Sequence, residues 1–275
     1  YYTSPDSYVY APASSTLGTE RGRAPRGVPY VEPEHDPALP MVKSVGQDQV
    51  GGHGAYLSYE IKIEDFARAL PMYMDYILFD ACLMGGVEVA YELKDRCGLV
   101  GFSQTEVLAE GFDYRSIPDY LLSGQEPDPE SVCRDYFEQY DVQSGIYRSA
   151  TISLVDCRRL EPLAAICADL FEKYRRDIRN LSPFNVQRYY RYDYHWFYDL
   201  VDILVEAGAD PADVEALENA VDDCMIYRAA TPEFMGAFDI DSYSGFSMYL
   251  PCHGNSELDK YYRTLKWNIA TGLVE

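Results

Sequence analysis

Hydrophobic and polar positions alternate in a way that predicts strands and helices in turn from about residue 46 onwards. Short apolar runs, as a strand covered on both faces requires, lie at residues 76–79, 99–103 and 149–155. Amphipathic segments that predict helices lie at residues 64–70, 87–93, 130–140 and 160–178. A strand, a helix and a second strand in this order are typical of parallel pairing, so the pattern predicts an α/β fold.

The C-terminal part of the chain predicts mainly helices, followed by short strands. Two helices joined by Gly208-Ala209-Asp210 are expected at residues 194–207 and 211–228, strands at 234–240 and 246–250, and a closing helix at 257–270. Residues 1–45 differ, because they are rich in proline and carry Arg21, Arg23 and Arg26 among small residues. We therefore expect an exposed, cleavable tail at 1–45, an α/β core at 46–160 and a helical region at 161–275.

The first predicted strand delivers one cysteine to a sharp turn. Asp80-Ala81-Cys82 follows the apolar run, and Gly85 and Gly86 then allow the backbone to turn into the next helix. In open α/β sheets, ligands bind in the crevice at the carboxyl ends of the strands. A helix N-terminus or an imidazolium near that crevice would favour the thiolate of Cys82. The alternative is a buried structural cysteine, since cysteine is among the residues most often found in protein cores.

Four segments around this turn resemble one family of enzymes. They are DACLMG at residues 80–85, VEVAYEL at 87–93, GFSQTE at 101–106 and YSGFSMYLP at 243–251. Together they resemble the clostripain family of cysteine peptidases, relatives of caspases and gingipains, from about residue 44 to the C-terminus. The resemblance implies a caspase-like, mostly parallel sheet flanked by helices, with a helical C-terminal extension that contributes further strands. It also implies that Cys82 is the nucleophile.

Charge and cysteine spacing exclude several other classes of protein. The net charge of −22 supplies no basic face for nucleic acid. No apolar run approaches the length of a membrane span, and no signal peptide is visible after Tyr1. The seven cysteines are an odd number without C-x-x-C pairs, so they indicate neither a disulfide framework nor a zinc site.

A cysteine peptidase needs an imidazole base, and the choice among the histidines stays open. His35 lies between prolines that forbid a central strand, while His195 has aromatic neighbours that favour packing and His253 has no evident partner. His53 is followed by Gly54, the dipeptide of the resembling family, but a loop-like segment precedes it. The resemblance implies that the His-Gly strand lies upstream of Tyr1, on a light chain cleaved from this one, so that residues 1–45 are the remainder of the cleaved loop.

The resemblance also implies a preference for basic substrates. An acidic residue at the position of Asp80 lines the S1 pocket in that family and selects Arg or Lys at P1; the alternative is that Asp80 caps the turn. A second acid from residues 104–114 would complete the pocket, with Glu106 favoured over Glu110 and Asp113. The oxyanion would be held by backbone N–H groups, that of Cys82 among them.

No cofactor is indicated by the sequence itself. Asp239-Ile240-Asp241 begins like a calcium loop, but Tyr243 replaces the third ligand and Leu250 stands where the bidentate Glu belongs. Calcium is implied by the family resemblance alone. The tyrosine-rich residues 189–194 are interpreted as a surface loop, with a protein-contact patch as the alternative.

These observations lead to one preferred function and one rival. We expect an extracytoplasmic, bacterial-type cysteine endopeptidase that cleaves polypeptides after Arg or Lys, with a light chain carrying the base. The rival is a catalytically incomplete clostripain-like protein that serves as a binding or scaffold module. Hydrolysis of Lys or Arg peptides that is lost on substitution of Cys82 supports the peptidase. Absence of hydrolysis supports the rival.

Overall fold

The computed structural model describes residues 27–30, 48–50, 57–124, 126–192, 195–251 and 256–275. Its first three strands form an antiparallel sheet in the order β1-β3-β2, with β1 at Gly27–Tyr30, β2 at Asp48–Val50 and β3 at Leu57–Ile61. β1 lies inside residues 1–45, so the described part of the expected tail is a paired strand. His35, His53 and His253 lie outside the described residues.

A second sheet carries the turn that contains Cys82. Its four strands are β4 (Met74–Leu78), β5 (Cys97–Phe102), β6 (Thr151–Asp156) and β8 (Met225–Ala230), in that order. β4 and β5 are parallel, as their strand, helix, strand order predicts, whereas β5 with β6 and β6 with β8 pair antiparallel. Parallel pairing is therefore confined to β4 and β5 in the described part of this sheet.

Helices flank the sheet and fill the C-terminal region. They are α1 (Ile63–Ala69), α2 (Val87–Leu93), α3 (Ile117–Leu122), α4 (Pro129–Asp141), α5 (Leu160–Arg179), α6 (Leu200–Glu206), α7 (Pro211–Cys224), α8 (Ser256–Tyr262) and α9 (Lys266–Thr271). Capping explains two of the starts: Asp128 accepts the N–H of Ser131 at α4, and Asp199 accepts the N–H groups of Val201 and Asp202 at α6. The predicted α/β class is confirmed.

Four short strands complete the region, and three of them correct the sequence prediction. They are β7 (Phe197–Asp199), β9 (Glu233–Phe234), β10 (Phe238–Asp239) and β11 (Ser247–Tyr249). The helix expected at 194–207 begins only at Leu200, because β7 pairs with β11. The strand expected at 234–240 is a hairpin of β9 and β10, since Met235 (φ 50°) and Gly236 (φ 64°) turn the chain.

Two helix predictions in the same region were wrong in their extent. The helix expected at 211–228 ends at Cys224, because the following residues pair with β6 as strand β8. The closing helix expected at 257–270 is divided into α8 and α9. Short apolar segments fit a helix or a strand equally well by periodicity, so pairing with β6 decides the structure of β8.

The core joins the two regions that were expected as separate units at 46–160 and 161–275. Phe102 of β5 packs on Phe246 before β11, with ring centroids 6.1 Å apart. Tyr91 of α2 meets Trp267 of α9 edge to face at 5.4 Å. All four side chains belong to one hydrophobic cluster that runs from α1 to the C-terminus. The helical region therefore supports the sheet directly.

The tyrosine-rich stretch was expected as a surface loop, but two of its tyrosines are buried in the core. Tyr189 is fully buried, and its hydroxyl donates to the Asp199 carboxylate at 2.7 Å. Tyr190 is buried in the main cluster. A tyrosine can be buried at low cost when its hydroxyl has an acceptor, which the local sequence does not reveal.

Candidate active site

The turn after β4 runs alongside the segment after β5. The N–H of Phe79 donates to the carbonyl of Gly101 at 2.8 Å, so the parallel ladder extends beyond β4. Further on, the N–H of Leu83 donates to the carbonyl of Thr105 at 2.9 Å, and that of Gly85 to the carbonyl of Ser103 at 2.7 Å. Backbone bonds therefore hold residues 80–86 at the carboxyl edge of the two parallel strands, where the sequence predicted the site.

The same turn is held from the C-terminal region. The N–H of Ser247 donates to the carbonyl of Gly85 at 2.9 Å, and Gly86 pairs with Ser247 in a parallel bridge. Leu83 adopts a left-handed conformation, with φ at 60°. A branched side chain in that region costs roughly 1 to 2 kcal/mol, so the bonds on both sides offset local strain.

Cys82 is half-buried at the centre of this turn. Its Sγ accepts the N–H of Val107 at 3.2 Å and lies 3.7 Å from the Val107 carbonyl. An N–H that points at sulfur stabilises negative charge there, which a nucleophilic thiolate requires. α2 begins only at Val87, so the described donor to the sulfur comes from the segment after β5 rather than from the start of this helix.

Asp80 lies on the same turn and is also half-buried. Its Oδ2 accepts a hydrogen bond from the hydroxyl of Tyr114 at 2.7 Å. Bonding to Asp80 raises the pKa of Tyr114 to about 12, with burial as the second cause. In the sequence, Tyr114 is only the last residue of the loop that is expected to supply a second acid.

Glu106 is buried and paired with a residue that the sequence analysis did not consider. Its Oε1 lies 3.2 Å from Nε of Arg191, and both side chains are less than one tenth exposed. Burial raises the pKa of Glu106 to about 7, while the charge of Arg191 acts in the opposite direction. Glu110, one of the two acids considered beside Glu106, is exposed, and the other, Asp113, binds Arg115.

The comparison with protein families agrees with this geometry. Residues 32–271 match the model of the clostripain family, peptidase C11. The chain belongs to the clostripain family. Among curated proteins, none is significantly similar to this clostripain-family chain.

Solved structures of C11 proteases are similar to it. An inactive zymogen C11 protease from Parabacteroides distasonis is 28% identical over 77% of this chain, with a TM-score of 0.69. A clostripain from Bacteroides thetaiotaomicron in complex with the peptide inhibitor BTN-VLTK-AOMK is 27% identical over 78%, with a TM-score of 0.67. A secreted C11 cysteine protease from the same organism is 27% identical over 78%, with a TM-score of 0.68.

This clostripain-family chain differs in length from some of these relatives. It spans 62% of the Parabacteroides protein and 60% of the secreted Bacteroides protease, but 95% of the inhibitor complex. The DACLMG and YSGFSMYLP segments, which carried the resemblance, both lie inside the residues that the family model matches.

In the clostripain-family chain, the buried side-chain amide of Gln104 packs against the turn that contains Cys82. Gln104 donates to the carbonyl of Gly245 at 2.7 Å and to Oγ of Ser153 at 3.1 Å, and its Oε1 accepts the hydroxyl of Tyr243 at 2.5 Å. A Cβ on Gly85 would lie 2.5 Å from its Nε2. A side chain at position 85 would therefore displace the amide of Gln104, so close packing favours glycine there. The sequence shows Gln104 only as one residue of the GFSQTE segment.

Glu88 lies on α2, the helix that follows the turn, and anchors this helix to the C-terminal region. Its Oε1 accepts the N–H of Tyr249 at 2.9 Å and the hydroxyl of Tyr262 at 2.7 Å, so one carboxylate joins α2 to β11 and α8. Burial raises its pKa, opposed by these hydrogen bonds. No pattern in the sequence distinguishes this buried acid from the exposed acids of other helices.

His195 is the histidine within the described part of the clostripain-family chain. It is buried, its Nδ1 lies 2.9 Å from the carbonyl of Tyr192, and its ring packs on Tyr198 with centroids 4.9 Å apart. These are the contacts of a core histidine, as the sequence favoured.

Among the residues that the structure describes, no group of three or more His, Cys, Asp or Glu side chains is arranged to hold a metal ion. None of the described helices combines the length and the apolarity that crossing a membrane requires.

Proposed function

We propose that this chain is the nucleophile-bearing part of a cysteine endopeptidase that cleaves polypeptides after Lys or Arg. The observation that carries the proposal is the placement of Cys82 and Asp80 on one turn at the carboxyl edge of β4 and β5, with an N–H donor 3.2 Å from the sulfur. Membership of the clostripain family and the inhibitor complex of a relative support it.

The reaction follows from a thiolate at this position. The sulfur of Cys82 attacks the scissile carbonyl carbon, the C–N bond breaks, and the amine leaves with a proton from the base. A thioester to Cys82 remains. Water then adds to the thioester carbonyl, and the acid product and the thiol are released. Backbone N–H groups, including that of Cys82, are the proposed donors to the oxyanion.

Asp80 is the proposed P1 carboxylate. It is two residues from the nucleophile and half-buried, so a cationic side chain that reaches it is partly removed from water, which strengthens the pairing. Glu106 enters the proposal as a second acid, on the segment that follows β5. Its carboxylate is already paired with Arg191, so we assign most of the P1 selection to Asp80.

The base is proposed to be a histidine outside the described residues. The first choice is a His-Gly strand upstream of residue 1, on a light chain that stays associated; His53 is the alternative. The zymogen state of the Parabacteroides relative supports activation by processing, and the secreted Bacteroides relative supports an extracytoplasmic location.

The experiment measures hydrolysis of peptides that differ only at P1. The protein is produced from its complete reading frame and compared with Cys82→Ala and Asp80→Asn. We expect Cys82→Ala to abolish hydrolysis. Asp80→Asn is expected to lower kcat/KM for Lys and Arg peptides by about 30-fold or more, because removing one partner of a buried charge pair costs roughly 2 to 5 kcal/mol.

A control on β4, the strand that leads into this turn, separates the effect from a general loss of charge. Asp75 is exposed on β4, and Asp75→Asn is expected to cleave like the wild type. Hydrolysis that survives Cys82→Ala, or an Asp80→Asn variant that retains full P1 preference, would overturn the proposal. His53→Ala in the same series tests the alternative base.

A further inference from the structure

The turn that carries Tyr114 is fixed by its own contacts. Arg115 donates through its backbone N–H and its guanidinium to the carboxylate of Asp113, at 2.9 to 3.0 Å. The N–H of Ser116 donates to the carbonyl of Asp113 at 3.1 Å. Phe112 is buried against Tyr136, with ring centroids 4.9 Å apart. The backbone at Tyr114 is therefore held in place independently of the bond between its hydroxyl and Asp80.

The side chain of Tyr114 is mostly exposed, at 63%, yet its hydroxyl reaches a half-buried carboxylate. The high pKa of this hydroxyl, about 12, keeps it a donor throughout the neutral range. An exposed phenol adds little to the stability of a folded chain, since one net hydrogen bond contributes only modestly. The contact consequently acts on the carboxylate of Asp80 more than on the fold.

The contact changes what Asp80 can offer to a substrate. Oδ1 of Asp80 is buried, so Oδ2 is the oxygen that a substrate can reach, and one of its two acceptor sites already takes the hydroxyl of Tyr114. A guanidinium is a rigid fork whose two neighbouring N–H groups need both of these acceptor sites. An ammonium is a compact charge with three rotatable donors, and the one acceptor site that remains on Oδ2 is enough for it. The contact between Tyr114 and Asp80 therefore weakens the binding of an arginine side chain more than that of a lysine side chain.

We infer that Tyr114 is a specificity-determining residue that biases the S1 pocket towards lysine over arginine by occupying one acceptor site on Oδ2 of Asp80. The inference rests on the proposed function, because it assigns a selectivity to the same pocket. It makes Tyr114 a positioning residue for Asp80, and its effect is on the ratio of two substrates rather than on the rate of the chemical step.

The test compares kcat/KM for a pair of peptides that differ only in Lys or Arg at P1. The enzymes are the product of the complete reading frame and its Tyr114→Phe variant, which keeps the ring and removes the hydroxyl. We expect the Lys-to-Arg ratio to fall by about tenfold in Tyr114→Phe, the effect of one charge-assisted hydrogen bond. Tyr147→Phe is the matched control, because Tyr147 is also an exposed tyrosine, and its ratio is expected to equal that of the wild type.

A second measurement does not depend on turnover. Calorimetry measures the affinity of the Cys82→Ala protein for product peptides that end in Lys or Arg. The ratio of the two affinities is expected to shift in the same way when Tyr114→Phe is added. An unchanged ratio, or a shift towards Lys, in an enzyme that cleaves both peptides overturns the inference and leaves the proposed function standing. Absence of hydrolysis and of binding in every form overturns both.

Discussion

Glu106 and Arg191 form a buried ion pair, with Oε1 and Nε 3.2 Å apart. The pair connects the segment after β5, which contacts the nucleophile, to the C-terminal region. Glu106 immediately precedes Val107, whose N–H contacts the sulfur of Cys82. Arg191 lies in the segment before β7, where it also approaches the sulfur of Met235 and the ring of Tyr192. The position of the thiol therefore depends on a residue far from it in sequence.

Replacement of Arg191 by Met is expected to destabilise the protein in a pH-dependent manner. The substitution leaves Glu106 buried without its cation, which costs about 3 kcal/mol where the carboxyl is ionised. Below its pKa the carboxyl is protonated and the loss is smaller. The free energy of unfolding, measured by urea denaturation at about pH 5 and about pH 8, gives both values.

The control for this substitution is an ion pair on the surface. Arg134 lies 2.7 Å from Glu130, and both are well exposed. Arg134→Met is expected to cost less than about 1 kcal/mol at either pH. An equal loss for Arg191→Met at both pH values would contradict the assignment of Glu106 as the titrating partner.

Glu106 itself is expected to give the wild type a distinct pH dependence. Its pKa is about 7 in the folded protein, above its ordinary value of 4.5. The folded state therefore binds this proton more tightly, so its contribution to stability is present at low pH and is lost as the pH rises from about 5 to about 8. Glu106→Gln cannot titrate. The difference in unfolding free energy between Glu106→Gln and the wild type is expected to grow in favour of the variant over that range, and a constant difference would refute the expectation.

The contact between Gly85 and Gln104 predicts a non-additive pair of substitutions. Gly85→Ala places a methyl group 2.5 Å from the Gln104 amide, which Gly245 and Tyr243 hold in place. We expect a loss of about 1 to 3 kcal/mol in stability for each of Gly85→Ala and Gln104→Ala. In the double variant the methyl group fills space left by the amide, so the combined loss is expected to be smaller than the sum. Additive losses in a double-mutant cycle would mean that the two residues do not constrain each other.

The sequence predicted those parts of the site that depend on local order. The apolar run of β4, the Asp80-Ala81-Cys82 tip and the two glycines that follow are contiguous, so the edge location of Cys82 could be derived from periodicity and turn chemistry. The parallel pairing of β4 with β5 followed from the short helix between them.

The remaining features depend on contacts between distant residues. Gln104 meets Tyr243 and Gly245, and Glu88 meets Tyr249 and Tyr262, across most of the chain. No spacing rule links such partners, because a buried amide or carboxylate is recognised only by what surrounds it. β8 was assigned to a helix for the same reason: its residues continue an amphipathic segment, and only pairing with β6 makes them a strand.

Covalent labelling tests the central claim most directly. Five described cysteines are buried and Cys82 is half-buried, so a peptide ketone with a leaving group on its α-carbon, which an activated thiolate displaces, has a defined target among the described thiols. The product of the complete reading frame is treated with matched ketones carrying Lys, Arg or norleucine at P1, and the modified residue is mapped by mass spectrometry. We expect the label on Cys82, faster by at least about tenfold for the basic reagents, with that preference lost in Asp80→Asn. Label on another cysteine, or equal rates for basic and neutral reagents, would contradict the assignment of Cys82 as nucleophile and Asp80 as the P1 carboxylate.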